Sequence, residues 1–214
     1  MVNMIQLSLG QNDIGPEGAS ALARALGNMA NMTKLDLAQN GIGPEGAGAL
    51  AGALGKMVNM TELDLARNRI KLGGAVALAG SMGKMDNLAV LDLGENGIGD
   101  EGVGALEGVL GKMVKVNMTV LDLHRNELGA AGAVALAGML DTMNSMTTLR
   151  LGANMINAGG ARALSGALGK MVKMTELDLS DNEMGEEGAK ALAVALGKMV
   201  NMTSLRLGGN AIGK

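Results

Sequence analysis

The sequence predicts an α/β fold made of repeated strand–helix units that run along the whole chain. Two observations lead to this prediction: a regularly spaced asparagine, and an apolar pattern that changes within each unit from alternation to helical spacing. The intervals between the asparagines are 28 residues, with one interval of 30. We therefore expect one domain over residues 1–214, with about 7.5 units. The asparagines are Asn12, Asn40, Asn68, Asn96, Asn126, Asn154, Asn182 and Asn210.

The segment before each asparagine is predicted to be a short strand. Leu35 and Leu37 alternate with Lys34, Asp36 and Ala38. Successive side chains of a strand point to opposite faces, so this alternation makes one face apolar and leaves the other face open. The same phrase recurs in the other units, which predicts eight such strands.

A turn and a helix are predicted after each strand. Residues 41–46 supply turn glycines, and Pro44 suits the first turn of a helix. Gly55 is placed to end the helix. The apolar face of this helix is predicted at spacings i, i+3, i+4 and i+7, by Ala47, Leu50, Ala51 and Leu54.

The composition excludes several classes of function. The chain has no Phe, Tyr or Trp, which removes the usual stacking platforms for single-stranded nucleic acid. It has no cysteine and one histidine, so disulfides, thiolate metal sites and cysteine nucleophiles are excluded, together with multi-histidine metal sites. Fourteen of the 19 methionines recur at two fixed positions of the unit, as at Met57 and Met60, and are predicted to fill the core. We expect no metal and no cofactor.

The charge balance gives no general reason for binding nucleic acid or a membrane. The net charge is −3 and the sequence pI is about 5.2. No apolar run approaches the roughly 18 to 20 residues that span a bilayer, and the first residues lack the features of a signal peptide. The expected setting is therefore cytoplasmic, with neither nucleic acid nor a membrane as partner.

The repeated phrase resembles a known family. The pattern Met-x-x-Leu-x-Leu-x-x-Asn-x-Ile, followed by Gly-Ala-x-Ala-Leu, is similar to a leucine-rich repeat, specifically of the ribonuclease-inhibitor-like class. That class includes ribonuclease inhibitor, the sensor regions of NOD-like receptors and the Ran GTPase-activating protein. The resemblance implies a right-handed horseshoe with parallel strands on the concave face, helices on the convex face and an asparagine ladder in the turns. The chain lacks the cysteines and aromatic contact residues of ribonuclease inhibitor.

The concave face is the predicted binding surface for a protein or peptide. Four successive aspartates occupy the position four residues before the ladder asparagine, and neighbouring strands lie roughly 5 Å apart, so an acidic stripe that suits a basic partner is expected. The alternative is that aspartate is simply a solvated residue of the repeat. The predicted partner-binding residues are Asp36, Gln39, Glu62, Asp64, Arg67, Asp92, Glu95, Asp122, His124, Arg125, Arg150, Glu176, Asp178, Asp181 and Arg206.

Two features of the sequence are candidates for a catalytic or nucleotide-binding site: His124 and two glycine-rich turns. His124 lies near Asp122 in sequence, but no serine in a nucleophile-elbow context accompanies it, so His124 is predicted to be a surface histidine. Residues 41–46 and 97–102 match G-x-G-x-x-G, a dinucleotide-binding fingerprint. The same turn at residues 69–74 lacks the fingerprint, which favours a repeat turn over a nucleotide site. We expect no enzymatic activity.

The preferred function is thus a non-catalytic scaffold for protein–protein interactions. Three alternatives are an array or filament segment that assembles through its ends, a designed or consensus repeat scaffold, and a GTPase-activating regulatory module. The sequence shows no polar terminal caps, and end-to-end self-association is therefore a further expectation. The one longer interval between asparagines is predicted to come from a two-residue insertion near Lys115 and Val116.

Overall fold

Strands and helices alternate along the chain in a computed structural model that describes residues 3–112 and 117–213. The insertion predicted near Lys115 and Val116 lies outside these residues. The strands are β1 (Gln6–Ser8), β2 (Lys34–Asp36), β3 (Glu62–Asp64), β4 (Val90–Asp92), β5 (Val120–Asp122), β6 (Thr148–Arg150), β7 (Glu176–Asp178) and β8 (Ser204–Arg206). The helices are α1 (Gly15–Leu26), α2 (Gly43–Leu54), α3 (Lys71–Met82), α4 (Gly99–Leu110), α5 (Ala130–Leu140), α6 (Ala158–Leu168) and α7 (Gly185–Leu196).

The strands form one parallel sheet in the order β1 to β8. The register follows the repeat, since Leu35 pairs with Leu63 and Asp36 pairs with Asp64. Each helix packs against the next one along the chain. This alternation of parallel strands and helices is that of a leucine-rich-repeat solenoid, as the sequence predicts.

The helix boundaries have local causes. In α2, Pro44 lies in the first turn, where its missing N–H costs no hydrogen bond. Gly55 ends the helix, and its N–H donates to the carbonyl of Ala51. The predicted apolar face is confirmed for Ala47, Leu50 and Leu54, but Ala51 is only half-buried. Ala53, which was not predicted, is buried in addition.

Leucine and methionine fill the space between the sheet and the helices. Met57, Met60, Met82 and Met85 are fully buried, which confirms the predicted core role of the methionines. A thioether on a flexible chain can occupy irregular gaps that aromatic rings would otherwise fill. Met155, which lies at neither of the two recurring positions, is about half exposed.

The asparagine ladder is confirmed and links each repeat to the preceding one. Asn68 is fully buried, and its Oδ1 accepts the N–H groups of Asn40 at 3.0 Å and Ile42 at 3.3 Å. Its Nδ2 donates to the carbonyl of Leu37 in the preceding repeat at 2.8 Å and to that of Leu65 at 3.0 Å. One amide thus pairs backbone groups of two repeats that burial would otherwise leave without partners.

The ladder is less complete near the last strand. The Oδ1 of Asn182 accepts the N–H of Ile156 at 2.9 Å, whereas the Oδ1 of Asn210 is buried without a partner within the described residues. Nearby, Asn157 and Glu183 form an isolated parallel bridge between two turns. The turns of the last repeats therefore differ from those of the earlier ones.

We predict that Asn68→Ala destabilises the protein by about 3 kcal/mol or more, because it leaves several buried backbone groups unpaired at roughly 1–3 kcal/mol each. The matched control is Asn12→Ala, since Asn12 occupies the same ladder position but is exposed. The free energy of unfolding from urea denaturation measures both. Equal losses in the two variants would contradict the role assigned to the buried amide.

We also predict that two glycines of α2 respond oppositely to alanine. An added Cβ at Gly48 meets open space, so Gly48→Ala should stabilise the helix by about 0.5–1 kcal/mol. An added Cβ at Gly46 would lie 2.7 Å from Ile42 and 2.9 Å from the Cβ of Ala19 in α1, so Gly46→Ala should destabilise. Thermal unfolding of both variants gives the comparison, and a stabilised Gly46→Ala would be inconsistent with this packing.

Candidate functional site

The face of the sheet away from the helices carries the predicted binding residues. We call it the open face; it presents Lys34 and Asp36, while Leu35 between them is buried. Because the strands are in register, the last residue of each strand forms one column across the sheet. This column reads Ser8, Asp36, Asp64, Asp92, Asp122, Arg150, Asp178 and Arg206. The four aspartates are therefore neighbours, as predicted.

A second set of predicted residues lies in the turns just after the strands. All five have a left-handed backbone conformation, with φ between 51° and 58°. This conformation is unfavourable for residues with a Cβ, so the turn holds them there. They are Gln39, Arg67, Glu95, Arg125 and Asp181. The site thus consists of one row on the strands and one row along the turns.

The first part of the column, which we call the acidic segment, consists of Asp36, Asp64 and Asp92. Each carboxylate accepts an N–H from the backbone two residues later, at 2.9–3.0 Å. Asp36 also accepts the hydroxyl of Ser8 at 2.6 Å. Within residues 3–112 and 117–213, none of the three forms an ion pair with a basic group. The acidic segment therefore has no ion-pair partner among the described residues, and the one basic group that acts on it, His124, lowers the pKa of Asp92 from a longer distance.

Burial makes this charge costly. Burial raises the pKa of Asp64, and the neighbouring carboxylates Asp36 and Asp122 raise it further. Burial likewise raises the pKa of Asp92 to about 6, with additional contributions from Asp122 and Asp64. The N–H of Gly94 acts in the opposite direction because it donates to the ionised form of Asp92. A cation placed at this segment would favour ionisation of both carboxylates.

The rest of the column is internally paired, beginning at Asp122. This carboxylate is only 4% exposed, with its Oδ1 2.7 Å from His124 Nδ1 and its Oδ2 3.5 Å from Arg150 Nη1. His124 Nε2 lies 3.2 Å from Glu95. The hydrogen bond to Asp122 is the main cause that raises the pKa of His124 to about 9. His124 therefore lies on the open face, partly exposed, and its ring links two carboxylates.

Further ion pairs extend this network, which we call the paired segment. Its members are Arg67, Glu95, Asp122, His124, Arg125, Arg150, Glu176, Asp178 and Arg206. Arg67 lies 2.8 Å and Arg125 3.6 Å from Glu95. Burial would raise the pKa of Glu95, but the hydrogen bonds from His124 and Arg67 outweigh it and lower that pKa. Most of these charges already have partners within the molecule.

The remaining ion pairs of the column involve Arg150 and Arg206. Arg150 Nε lies 3.2 Å from Glu176, and Arg206 Nη1 lies 3.4 Å from Asp178. Burial would raise the pKa of Asp178, but the hydrogen bonds from Ser180 and Arg206 outweigh it, so the pKa is lowered. Asp181 has no ion pair among the described residues, and both Asp181 and Gln39 are exposed at the turn row.

An open trough of about 430 Å³ lies over the acidic segment. Its floor includes Val90 and Val120, which sequence reasoning did not single out although their column position was recognisable. Lys34 also lines the trough and pairs with the predicted residue Glu62 at 2.6 Å. Beside the trough, the residue two positions before each ladder asparagine has a small side chain in most repeats. It reads Gly10, Ala38, Ala66, Gly94, His124, Gly152, Ser180 and Gly208.

The glycine-rich turns have a conformational explanation. Gly41 and Gly43 have φ of 60° and 68°, and the equivalent Arg69 and Lys71 have φ of 55° and 54°. The glycines thus suit the left-handed positions of a turn that recurs in the repeat. In the described part of the chain, no group of three or more His, Cys, Asp or Glu residues is arranged to hold a metal ion. None of the helices found there has the length and apolar character to cross a membrane.

We predict that Asp92→Asn stabilises the protein at pH 7 but not at pH 4. The raised pKa means that the folded protein holds the Asp92 proton more tightly than the unfolded chain does. Stability from this group is therefore present below pH 3.8 and is lost as the pH rises through about 6. At pH 7 the variant should gain on the order of 1–2 kcal/mol, discounted for partial exposure.

Urea denaturation at both pH values tests this expectation. Asparagine keeps an acceptor for the N–H of Gly94, so the local turn is preserved. The control is Glu186→Gln, which makes the same change of net charge at an exposed position of α7. A gain for Asp92→Asn that is the same at pH 4 and pH 7 would show that the ionised carboxylate is not its source.

Comparison with known proteins agrees with the repeat. The family model described as Leucine Rich repeat matches residues 2–23, 28–51, 56–79, 86–106, 114–137 and 170–193. No curated protein matches the sequence.

Three solved structures are similar to the chain at low identity. Leiomodin-1 Actin-Binding Site 2 is 22% identical, with 50% of this chain and 62% of that chain covered and a TM-score of 0.43. The TLR13–ssRNA13 complex is 18% identical, with 98% of this chain and 33% of that chain covered and a TM-score of 0.47. An internalin, inlF, from Listeria monocytogenes str. 4b F2365 is 18% identical, with 89% of this chain and 65% of that chain covered and a TM-score of 0.37. The chain spans less than two thirds of the length of each of these. The assignment rests on the family model rather than on these structures. The segments that the model matches make up more than half of the sequence, and the chain therefore belongs to the leucine-rich repeat family.

Proposed function

We propose that the chain is a non-catalytic scaffold for protein–protein interactions, and that its acidic segment binds a protein or peptide through basic side chains. Membership of the leucine-rich repeat family supports a protein-binding role in general. One observation carries the finer proposal: Asp36, Asp64 and Asp92 are neighbours on the open face and form no ion pair within the described chain. A partner can supply the missing cations.

The energetic argument starts from the cost of the unpaired charge. Asp64 and Asp92 are partly removed from water, and each lies beside other carboxylates. A lysine or arginine between two of them would form charge-assisted hydrogen bonds and relieve their mutual repulsion. Binding should therefore release the proton that Asp92 holds near pH 6.

The shape of the trough supports the same kind of ligand. The small side chains beside it leave the backbone accessible, which suits an extended segment or a helix of a partner better than an enclosed small molecule. Val90 and Val120 offer apolar contact to the aliphatic stem of a lysine or arginine while its charged end reaches a carboxylate.

The paired segment is a poorer place for the same partner. A cation that approached Asp122 would have to compete with His124 and Arg150, which already lie against this buried carboxylate. Separating a buried pair is costly because it leaves one charge without compensation. We therefore assign the primary contact to the acidic segment and a bordering role to the paired segment.

Two finer assignments belong to this proposal. The ribonuclease-inhibitor-like class is supported by intervals of 28 or 30 residues between ladder asparagines, each of which contains a helix of 11 or 12 residues. The cytoplasmic setting is proposed on the sequence alone.

We predict that Asp64→Asn combined with Asp92→Asn weakens binding of a basic peptide by at least about tenfold, because the ligand loses two charged acceptors. The probe is a fluorescein-labelled peptide of alternating lysine and alanine, measured by fluorescence anisotropy. For the unchanged protein, affinity should rise between pH 5 and pH 7 as Asp92 ionises, and it should fall with added salt.

The matched control is Glu186→Gln combined with Glu187→Gln, which alters net charge equally on the exposed side of α7. It should leave affinity nearly unchanged. If both double variants lose affinity to the same extent, the peptide responds to net charge and the assignment to the acidic segment is wrong.

A further inference from the structure

A hollow of about 670 Å³ opens among the turns that follow β3, β4 and β5, and we call it the turn hollow. Basic side chains line it from the two outer turns: Arg69 and Lys71 after β3, and Arg125 after β5. Gly97 belongs to the turn between them and has no side chain to fill the space. The turn hollow shares no lining residue with the trough over the acidic segment, so it is a separate surface.

The basic residues of the turn after β3 have no acidic partner within the molecule. Arg69 and Lys71 are both exposed. Neither forms an ion pair with a carboxylate in residues 3–112 and 117–213. They differ in this from most charged residues of the paired segment, whose partners lie in the same chain.

Two carboxylates also line the turn hollow, and only one of them opposes an anion there. Glu95 lies 2.8 Å from Arg67 and 3.6 Å from Arg125, so cations of the protein already neutralise it. Glu127 is exposed and has no ion pair in the described part of the chain. Its Oε1 lies 3.4 Å from the place that an added Cβ of Gly97 would take. The unpaired cations therefore outnumber the unpaired carboxylate.

The turn holds these cations in an unfavourable backbone conformation. The φ angles of Arg69 and Lys71 are 55° and 54°, in the left-handed region that a Cβ disfavours. Four other repeats have a left-handed residue at the position of Lys71, and each of them is glycine: Gly15, Gly43, Gly99 and Gly185. The turn therefore forms without a lysine, and strain of this kind is typical of residues that serve binding.

The spacing of the cations fits a ligand that carries several anionic groups. The turns after β3 and β5 are two strand spacings apart, roughly 10 Å. A single phosphate or carboxylate cannot contact Lys71 and Arg125 at once. Carboxylates two to four residues apart in an extended peptide lie about 7–13 Å from one another and can contact both. Leu72 also lines the hollow and is 39% exposed, so it offers an apolar contact beside the charges.

We propose that the turn hollow binds an acidic segment of a protein partner, with Arg69, Lys71 and Arg125 in contact with its carboxylates. A guanidinium presents parallel donors that match the two oxygens of a carboxylate, and the lysine adds a compact charge. An apolar side chain of the same segment packs against Leu72. This interaction goes beyond the proposed function, because it uses another surface and a partner segment of the opposite charge.

The experiment measures binding of a fluorescein-labelled peptide of alternating glutamate and alanine, with one central leucine, by fluorescence anisotropy. Arg69→Gly combined with Lys71→Gly should weaken binding by the 214-residue chain at least about tenfold, because two charged donors are lost. The same variant should keep or raise the Tm, since glycine suits both left-handed positions. A purely structural role of the two residues would not give loss of binding without loss of stability.

The matched control is Lys84→Gln combined with Lys112→Gln, which removes the same charge at exposed positions after α3 and α4. It should leave affinity for the acidic peptide nearly unchanged. Glu127→Gln should raise this affinity about threefold or more, because it removes the carboxylate that opposes the ligand. The acidic-segment double variant should not weaken binding of the acidic peptide, which separates this test from that of the proposed function.

Four results would overturn the proposal. The first is no measurable binding of the acidic peptide by the unchanged protein. The second is an equal loss of affinity in the lysine control, which would mean that the peptide responds to net charge. The third is a lowered Tm of the glycine variant, which would assign the two residues to the fold. The fourth is equally tight binding of a single-stranded oligonucleotide of the same charge through Arg69 and Lys71, which would replace the acidic peptide as the ligand.

Discussion

The buried asparagine ladder is the interaction on which the rest of the structure depends. Each ladder position needs a side chain that can accept from the preceding repeat and donate to it in the same plane, as Asn68 does with Ile42 and Leu37. An aspartate has no donor for the carbonyl, and a leucine has neither group. Because the amide binds both repeats at once, it fixes the offset between them at one repeat length, and the strand register follows.

That register determines the chemistry of the open face. Identical residue types in successive units become neighbours, so a repeated aspartate turns into a row of close like charges, as at Asp64 and Asp92. The cost of this row appears in their raised pKa values. Where the column changes to Arg150, the neighbouring Asp122 gains an ion pair and its burial becomes tolerable. The contrast between the acidic and paired segments therefore arises from a few departures from the repeat.

Much of the fold could be predicted from the sequence because its signals are periodic. The strands, the ladder and the methionine core are confirmed, and each rests on many copies of one pattern. The predicted buried face of α2 was wrong at Ala51, because helical spacing alone does not determine which side of a helix lies against the sheet. The binding of a partner at the predicted residues stays a prediction.

The site was less predictable than the fold because its charges depend on contacts between repeats. The raised pKa of His124 comes from Asp122 beside it and Glu95 one repeat earlier, and both distances depend on side-chain conformations. The pairing of Lys34 with Glu62 likewise follows from strand register rather than from either residue. Residue spacing brings such groups into one column, but it does not show which of them pair.

The same geometry explains why residues on the open face can vary more than residues buried between repeats. A side chain such as Arg150 projects from the open face, so it can differ from the aspartate of the next strand without disturbing the ladder. Leu177, by contrast, is buried between two repeats and must fit both. The open face therefore tolerates a change of charge such as Arg150, whereas the buried central position of the strands is leucine in every repeat, as at Leu35 and Leu177.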